Sequence, residues 1–120
     1  MNTNIRAQGF DLLPSIEQRV CRQLGRIAGR FERELMSVDV YLSDINGPRG
    51  GADKKVVMRA NLSNLPPISI SSRHADLYVA IDRTARRLAR NVNRALRKSR
   101  RLQPRKVLRL KQYGWEQAAT

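Results

Sequence analysis

Between Asp76 and Arg101 two residue classes repeat with the same helical period on different sides of one rod. Leu77, Ile81, Ala85, Leu88, Val92 and Leu96 recur at steps of four, four, three, four and four, the pattern of a single apolar stripe on a helix. Arg83, Arg87, Arg90, Arg94, Arg97 and Arg101 recur at four, three, four, three and four. At about 100° per residue this second stripe falls roughly opposite the first. From Arg83 to Lys111 there are thirteen Lys or Arg and no Asp or Glu. Solvated helix faces ordinarily mix both signs, since opposite charges at i,i+4 support a helix and like charges repel. A face of one sign gains its counter-charge from a polyanion outside the chain.

A second, shorter segment repeats the construction. Pro14 suits the first turn of a helix, where a missing N–H costs nothing, and Glu17 complements the positive end of its dipole. Ile16, Val20, Leu24, Ile27 and Phe31 form the apolar stripe, while Arg19, Arg22, Arg26, Arg30 and Arg33 follow a neighbouring outward face. Glu32 and Glu34 close the segment.

The remaining segments alternate with period two. Thr3 to Gln8 reads as a short strand with Ile5 and Ala7 on one side. Ser37 to Asp44 places Val38, Val40 and Leu42 inward, against Asp39, Tyr41 and Ser43. Lys55 to Leu62 places Val56, Met58, Ala60 and Leu62 inward, against Val57, Arg59 and Asn61. Asn46-Gly47-Pro48-Arg49-Gly50-Gly51 is turn chemistry for a hairpin, and Asn64-Leu65-Pro66-Pro67 is a second turn before a short strand at Ile68 to Ser72. Gln103-Pro104 is expected to stop the last helix. The residues beyond it form a basic tail with room for a short strand or arm.

The order is β-α-β-β-β-α, an α+β fold. A strand–helix–strand opening makes the first two strands parallel neighbours through a right-handed crossover, and hairpins add two antiparallel strands. Each helix has one stripe to bury, so both are expected side by side on one face of a four-stranded mixed sheet, their arginines merging into one basic surface. Residues 1–101 form the domain and 102–120 the tail.

The net charge of +14 over 120 residues ranks nucleic acid first among partners and an anionic membrane surface second. The last helix has small Ala85 in its apolar stripe and lacks the bulky residues of a membrane-surface helix. No apolar run approaches the roughly 20 residues of a membrane span, and the first fifteen residues lack a secretory pattern. Cys21, the single cysteine, fits a reducing compartment, so a cytoplasmic location is expected.

Catalysis has little to stand on. His74, the sole histidine, has no acid–base partner set by any motif and suits a strand end or cap. Cys21 adjoins the buried stripe and is expected to pack there. Asp44, Asn46 and Asp53 miss calcium-loop spacing, and Gly47, Gly50 and Gly51 lack the Lys-Ser/Thr of a phosphate loop. No metal, cofactor or small-molecule substrate is expected. Tyr78 is expected to pack on the sheet or first helix rather than stack on bases; for Tyr113 and Trp115 both roles stay open.

Asp76-Leu77-Tyr78-Val79-Ala80-Ile81-Asp82, followed by Arg87-Leu88-Ala89-Arg90, resembles the signature helix of the ribosome hibernation-promoting factor family, which includes the ribosome-associated inhibitor often labelled a sigma-54 modulation protein. Val38 to Asp44, Ala60-Asn61-Leu62 and the element order fit the same pattern, over about residues 2–100. The resemblance implies a domain in the decoding channel of the small subunit, contacting ribosomal RNA, occluding messenger and transfer RNA sites and holding ribosomes idle under stress or in stationary phase. The residues matching the family's basic helix are Arg87, Arg90, Arg94, Lys98 and Arg100. Arg83, Arg97 and Arg101 rest on the stripe alone, as do Arg19, Arg22, Arg26 and Arg30. Long family members add a dimer-forming domain for which this chain has no room, and the basic tail differs from the polar or acidic tail of the inhibitor type. A monomer is expected.

Three alternatives carry different chemistry. A double-stranded-RNA-binding domain shares the helix–three strands–helix order but has basic residues where this chain has Asp76 and Asp82. A regulator docking an acidic protein, such as a transcription factor, would survive competition by ribosomal RNA. A nucleoid-type protein would bind duplex DNA as tightly as ribosomes.

Overall fold

The computed structural model describes residues 2–44 and 53–112, with 101–112 as backbone alone. The elements are β1 (Asn2–Gln8), α1 (Pro14–Arg30), β2 (Leu35–Asp44), β3 (Lys54–Leu62), β4 (Ile68–His74) and α2 (Leu77–Gln112). Internal contacts divide the chain into two compact units, residues 1–90 and 91–120. The first contains the sheet, α1 and α2 as far as Arg90.

The sheet order is β1-β2-β3-β4. β1 runs parallel to β2, with Ile5 opposite Val40; β2–β3 and β3–β4 are antiparallel, with Val40 opposite Met58 and Met58 opposite Ile70. This is the expected mixed sheet. Alternation sends Val38, Val40, Leu42, Val56, Met58, Ala60 and Leu62 to one face, where all are buried. Met36 falls in the register shift between Leu35 and Ser37 and is left exposed.

That face receives the helices. Ile16, Val20, Leu24, Ile27 and Phe31 are buried, as are Ile81, Ala85 and Leu88 of α2. Ala80 and Thr84 are also fully buried. Thr84 is satisfied within the helix, its hydroxyl donating to the Ala80 carbonyl at 2.7 Å, as hydroxyls in apolar surroundings must be. In the second unit Val92 and Leu96 are buried.

Local chemistry sets the element ends. Leu13 starts α1 with no side-chain cap, its carbonyl accepting from Ile16 and Glu17, and Pro14 occupies the first turn. His74 Nδ1 accepts the Asp76 N–H at 2.9 Å, the expected strand-end role. Asp76 then caps α2, Oδ1 accepting from the Tyr78 N–H at 2.9 Å. Asn64 sits in the left-handed region (φ 62°), which turn asparagines tolerate. Gly9 has φ +89°, and a Cβ there would lie 3.1 Å from the Asp44 carbonyl oxygen. Buried Asp53 shares Lys54 with Asp44, at 3.2 and 2.8 Å from Nζ, which ties both carboxylates to a lysine.

Two expectations are corrected. α2 does not stop at Gln103-Pro104 but continues to Gln112. An interior proline removes one backbone bond and crowds the preceding turn, which bends a helix as readily as it ends one. Cys21 is exposed rather than packed, because it lies one residue, about 100°, round from Val20 on the flank away from α2. The Asn46–Gly51 turn, Tyr113 and Trp115 lie outside the described residues.

On the sheet face away from the helices, Asp39 Oδ1 accepts from Asn4 Nδ2 at 3.1 Å and Oδ2 from Asn61 Nδ2 at 3.2 Å. These amides, then the charges of Arg59 and Arg6, hold its carboxyl below the ordinary carboxylate value. A lowered native value means stability that is complete above the unfolded value of about 3.9 and lost as pH falls through the native one. Asp39→Asn should flatten the acid limb of a pH–stability curve below about pH 4, measured by urea unfolding. Leu88→Ala, at a fully buried position, should cost about 2–5 kcal/mol and lower Tm with no gross change in circular dichroism at low temperature.

Candidate nucleic-acid interface

Helical geometry fixes where each arginine of the first unit stands. With Ile81, Ala85 and Leu88 down on the sheet, Arg83 and Arg90 point directly away from it. Arg86 turns to one flank with Asp82, and Arg87 to the other. On α1 the flank bearing Arg19, Gln23, Arg26 and Arg30 is the one that borders α2. A groove between the helices is lined by Gln23, Arg26, Ile27, Arg30, Asp82, Ala85, Arg86 and Ala89. The small side chains of Ala85 and Ala89 leave it open, and Arg26, Arg30 and Arg86 supply its charge.

Asp82 joins the two helices. Its Oδ1 accepts from Gln23 Nε2 at 2.8 Å and lies 3.3 Å from Arg19 Nε. The second contact is an ion pair without hydrogen-bond alignment, since the buried Arg19 Nε makes no hydrogen bond. The Arg19 guanidinium stacks 5.4 Å from the centre of the Tyr78 ring, and Tyr78 Oη lies 3.0 Å from Ser15 Oγ. Tyr78 therefore packs on the first helix, as expected. Arg19 is committed to this intramolecular cluster, in contrast to the other candidates on α1.

Arg87 is committed as well. Its Nη1 donates to the Ser71 carbonyl at 2.8 Å and the Ser72 hydroxyl at 3.2 Å, tying α2 to β4. By contrast, among the described residues no carboxylate pairs with Arg22, Arg26, Arg83, Arg86 or Arg90, and all five are exposed. Arg30 stacks on Phe31, 5.1 Å from the ring centre, while lining the groove. In the second unit Arg94, Arg97, Lys98 and Arg100 are exposed along α2. The Arg101 side chain lies outside the described residues.

Arg86 stands three residues after Arg83 and four before Arg90, so the same spacing admits it, although a stripe drawn through Arg87 passes it over. Its position four residues after Asp82, beside two alanines, is the signal that places it on the inter-helix flank. Chemically the array is a set of fixed guanidinium forks suited to paired contacts with phosphate oxygens. Among the described residues no three His, Cys, Asp or Glu come together as metal ligands, and no helix is long and apolar enough to cross a membrane.

A mixed sheet with two helices on one face, and exposed arginines along them, defines an α+β domain with a basic helix face. Residues 3–100 match the family model of the sigma 54 modulation protein / S30EA ribosomal protein, and the chain belongs to that family. The solved N-terminal domain of Thermus thermophilus Protein Y is similar, with 25% identity and a TM-score of 0.65, covering 78% of this chain and 98% of that one. A ribosomal subunit interface protein from Coxiella burnetii shares the fold at 20% identity and a TM-score of 0.68, covering 79% and 97%. No curated protein sequence matches.

Asp82 is the charge that restrains this face. Asp82→Asn keeps an oxygen for Gln23 and releases Arg19, at a stability change within about 1 kcal/mol. Affinity for a folded RNA should rise, and its log–log salt dependence should steepen by about one unit, in anisotropy titrations across salt. An unchanged slope would leave Arg19 outside the interface.

Proposed function

We propose that this chain is a non-catalytic ribosome-binding protein. Its basic helices lie in the decoding channel of the small subunit, contact ribosomal RNA and block the messenger and transfer RNA sites, keeping ribosomes inactive under stress or in stationary phase. It acts in the cytoplasm as a monomer, without cofactor or small-molecule substrate, through residues 1–101, with 102–120 as a basic tail. The observation that carries the reading is the set of exposed arginines, Arg22, Arg26, Arg83, Arg86 and Arg90, that no carboxylate among the described residues neutralises. Arg94, Arg97 and Lys98 extend the supply of exposed cations along α2. Membership of a family whose description includes a ribosomal protein, and neighbours named Protein Y and ribosomal subunit interface protein, support the ribosome as the polyanion.

The mechanism is occupancy. Rigid forks on paired helices read the shape and backbone of folded RNA with little base specificity. Each neutralised phosphate releases counterions, so binding by about six contacts should weaken roughly a thousand-fold between about 50 and 200 mM salt. Arg26→Glu, Arg86→Glu and Arg90→Glu combined should abolish co-sedimentation with small subunits while circular dichroism stays native. Arg87 is left intact in that variant because it fastens α2 to β4. Normal co-sedimentation of the folded triple variant would rule out the helix face as the ribosome contact.

A further inference from the structure

The sheet face opposite the helices is also built for a ligand. Tyr41 projects from β2, an interior strand, and is 44% exposed. A tyrosine there adds little to the core, and its exposed ring offers a flat face on which a base can stack. Its neighbours across the sheet are Arg6 on β1 and Val57 on β3. Lys55 and Arg59 flank Val57 on the same face, and Arg73 of β4 stands opposite Lys55. Four cations thus share the face with the ring.

Asp39 is the one carboxylate among the described residues of this face, and its two oxygens are taken by the Asn4 and Asn61 amides. No ion pair joins it to Arg6 or Arg59. Arg6 and Arg59 feel its charge at longer range, and four cations against one carboxylate leave the described part of this face net positive.

We propose that this open face is a second nucleic-acid surface, binding a single-stranded RNA segment with one base stacked on Tyr41 and its phosphates held by Arg6, Arg59 and Arg73. A four-stranded sheet presenting an aromatic ring among cations suits this ligand, because an unpaired base offers a π-face and the chain beside it offers phosphates. A duplex hides its base faces within the stack and leaves the ring uncovered. An acidic protein segment would meet the charge but give the ring no partner, and a second copy of this face would be repelled by its own sign. The tail of this chain is excluded on the same ground, since Arg105, Lys106, Arg109 and Lys111 make it basic. The surface lies on the other side of the sheet from the helix interface, so one chain holds two RNA segments at once.

The test uses the full chain and a fluorescein-labelled oligouridylate of about eight nucleotides, followed by anisotropy and by backbone-amide NMR. Binding should shift amides of β1, β2 and β3, and Tyr41→Ala should weaken it about ten-fold. Tyr41→Phe should preserve it, and Arg59→Ala should make the salt dependence shallower. The Arg26→Glu, Arg86→Glu, Arg90→Glu variant should still bind the oligonucleotide on the sheet, which separates this surface from the helix interface. Should Tyr41→Ala melt early, Tyr41→Leu and the NMR map take its place. Shifts confined to the helices, indifference to Tyr41, or equal and Tyr41-independent binding of polyglutamate would each overturn the proposal.

Discussion

The arrangement of the first unit depends on two apolar stripes finding cover on the same side of one sheet. Val20, Leu24 and Ile27 of α1 and Ile81, Ala85 and Leu88 of α2 are buried, and a four-stranded sheet offers one continuous apolar face of Val38, Val40, Leu42, Val56, Met58 and Ala60 to receive them. Burial of apolar surface is the dominant favourable term in folding, and it is indifferent to what the opposite side of each helix bears. The cationic face is therefore a passenger on a hydrophobic decision. Once the stripes are down, each arginine's direction is fixed by its angle from them.

Charge is then sorted rather than merely accumulated. Arg19 is drawn to Asp82 and stacked on Tyr78, where it helps hold the helices side by side. Arg87 spends its donors on the Ser71 carbonyl and Ser72 hydroxyl of β4, the outermost strand. The stripe thus contains residues that position the helices and residues that remain available to a ligand. Arg26, Arg30 and Arg86 line the groove, and Arg83 and Arg90 stand above it. Asp82 sits among them as the carboxylate that orders the helix pair while lowering its net charge. On the far side of the sheet Asp39 accepts from two amides, and among the described residues no ion pair joins it to Arg6 or Arg59. In both places a single acid takes hydrogen bonds from neutral amides and orders the side chains around it, while the cations outnumber it.

The two periodicities, 3.6 and 2, made most of the fold legible. Every inward residue read from β2, β3 and α1 is buried, because an amphipathic element has only one side it can bury. The parallel pairing of β1 with β2 followed from the helix between them, and hairpins supplied the rest. Sequence reading went astray where a local rule met a longer context. Pro104 looked like a stop, yet α2 runs through it to Gln112. Cys21 looked like core because it adjoins Val20, yet one residue on a helix is a quarter-turn and more.

The order of residues by itself determined which elements form, which sides they bury and that an excess of arginine is left facing out, because these follow from spacing and from the sign of each charge. Which arginines are available was settled only by the tertiary fold. Arg87 and Arg90 are equivalent members of one repeat, but a turn of about 60° puts the first over β4 and leaves the second in solvent. Arg86, outside that repeat, reaches the groove because α1 lies on its flank. A partner's position in space decides what a guanidinium does, and spacing along a single helix contains no information about where the neighbouring elements will lie.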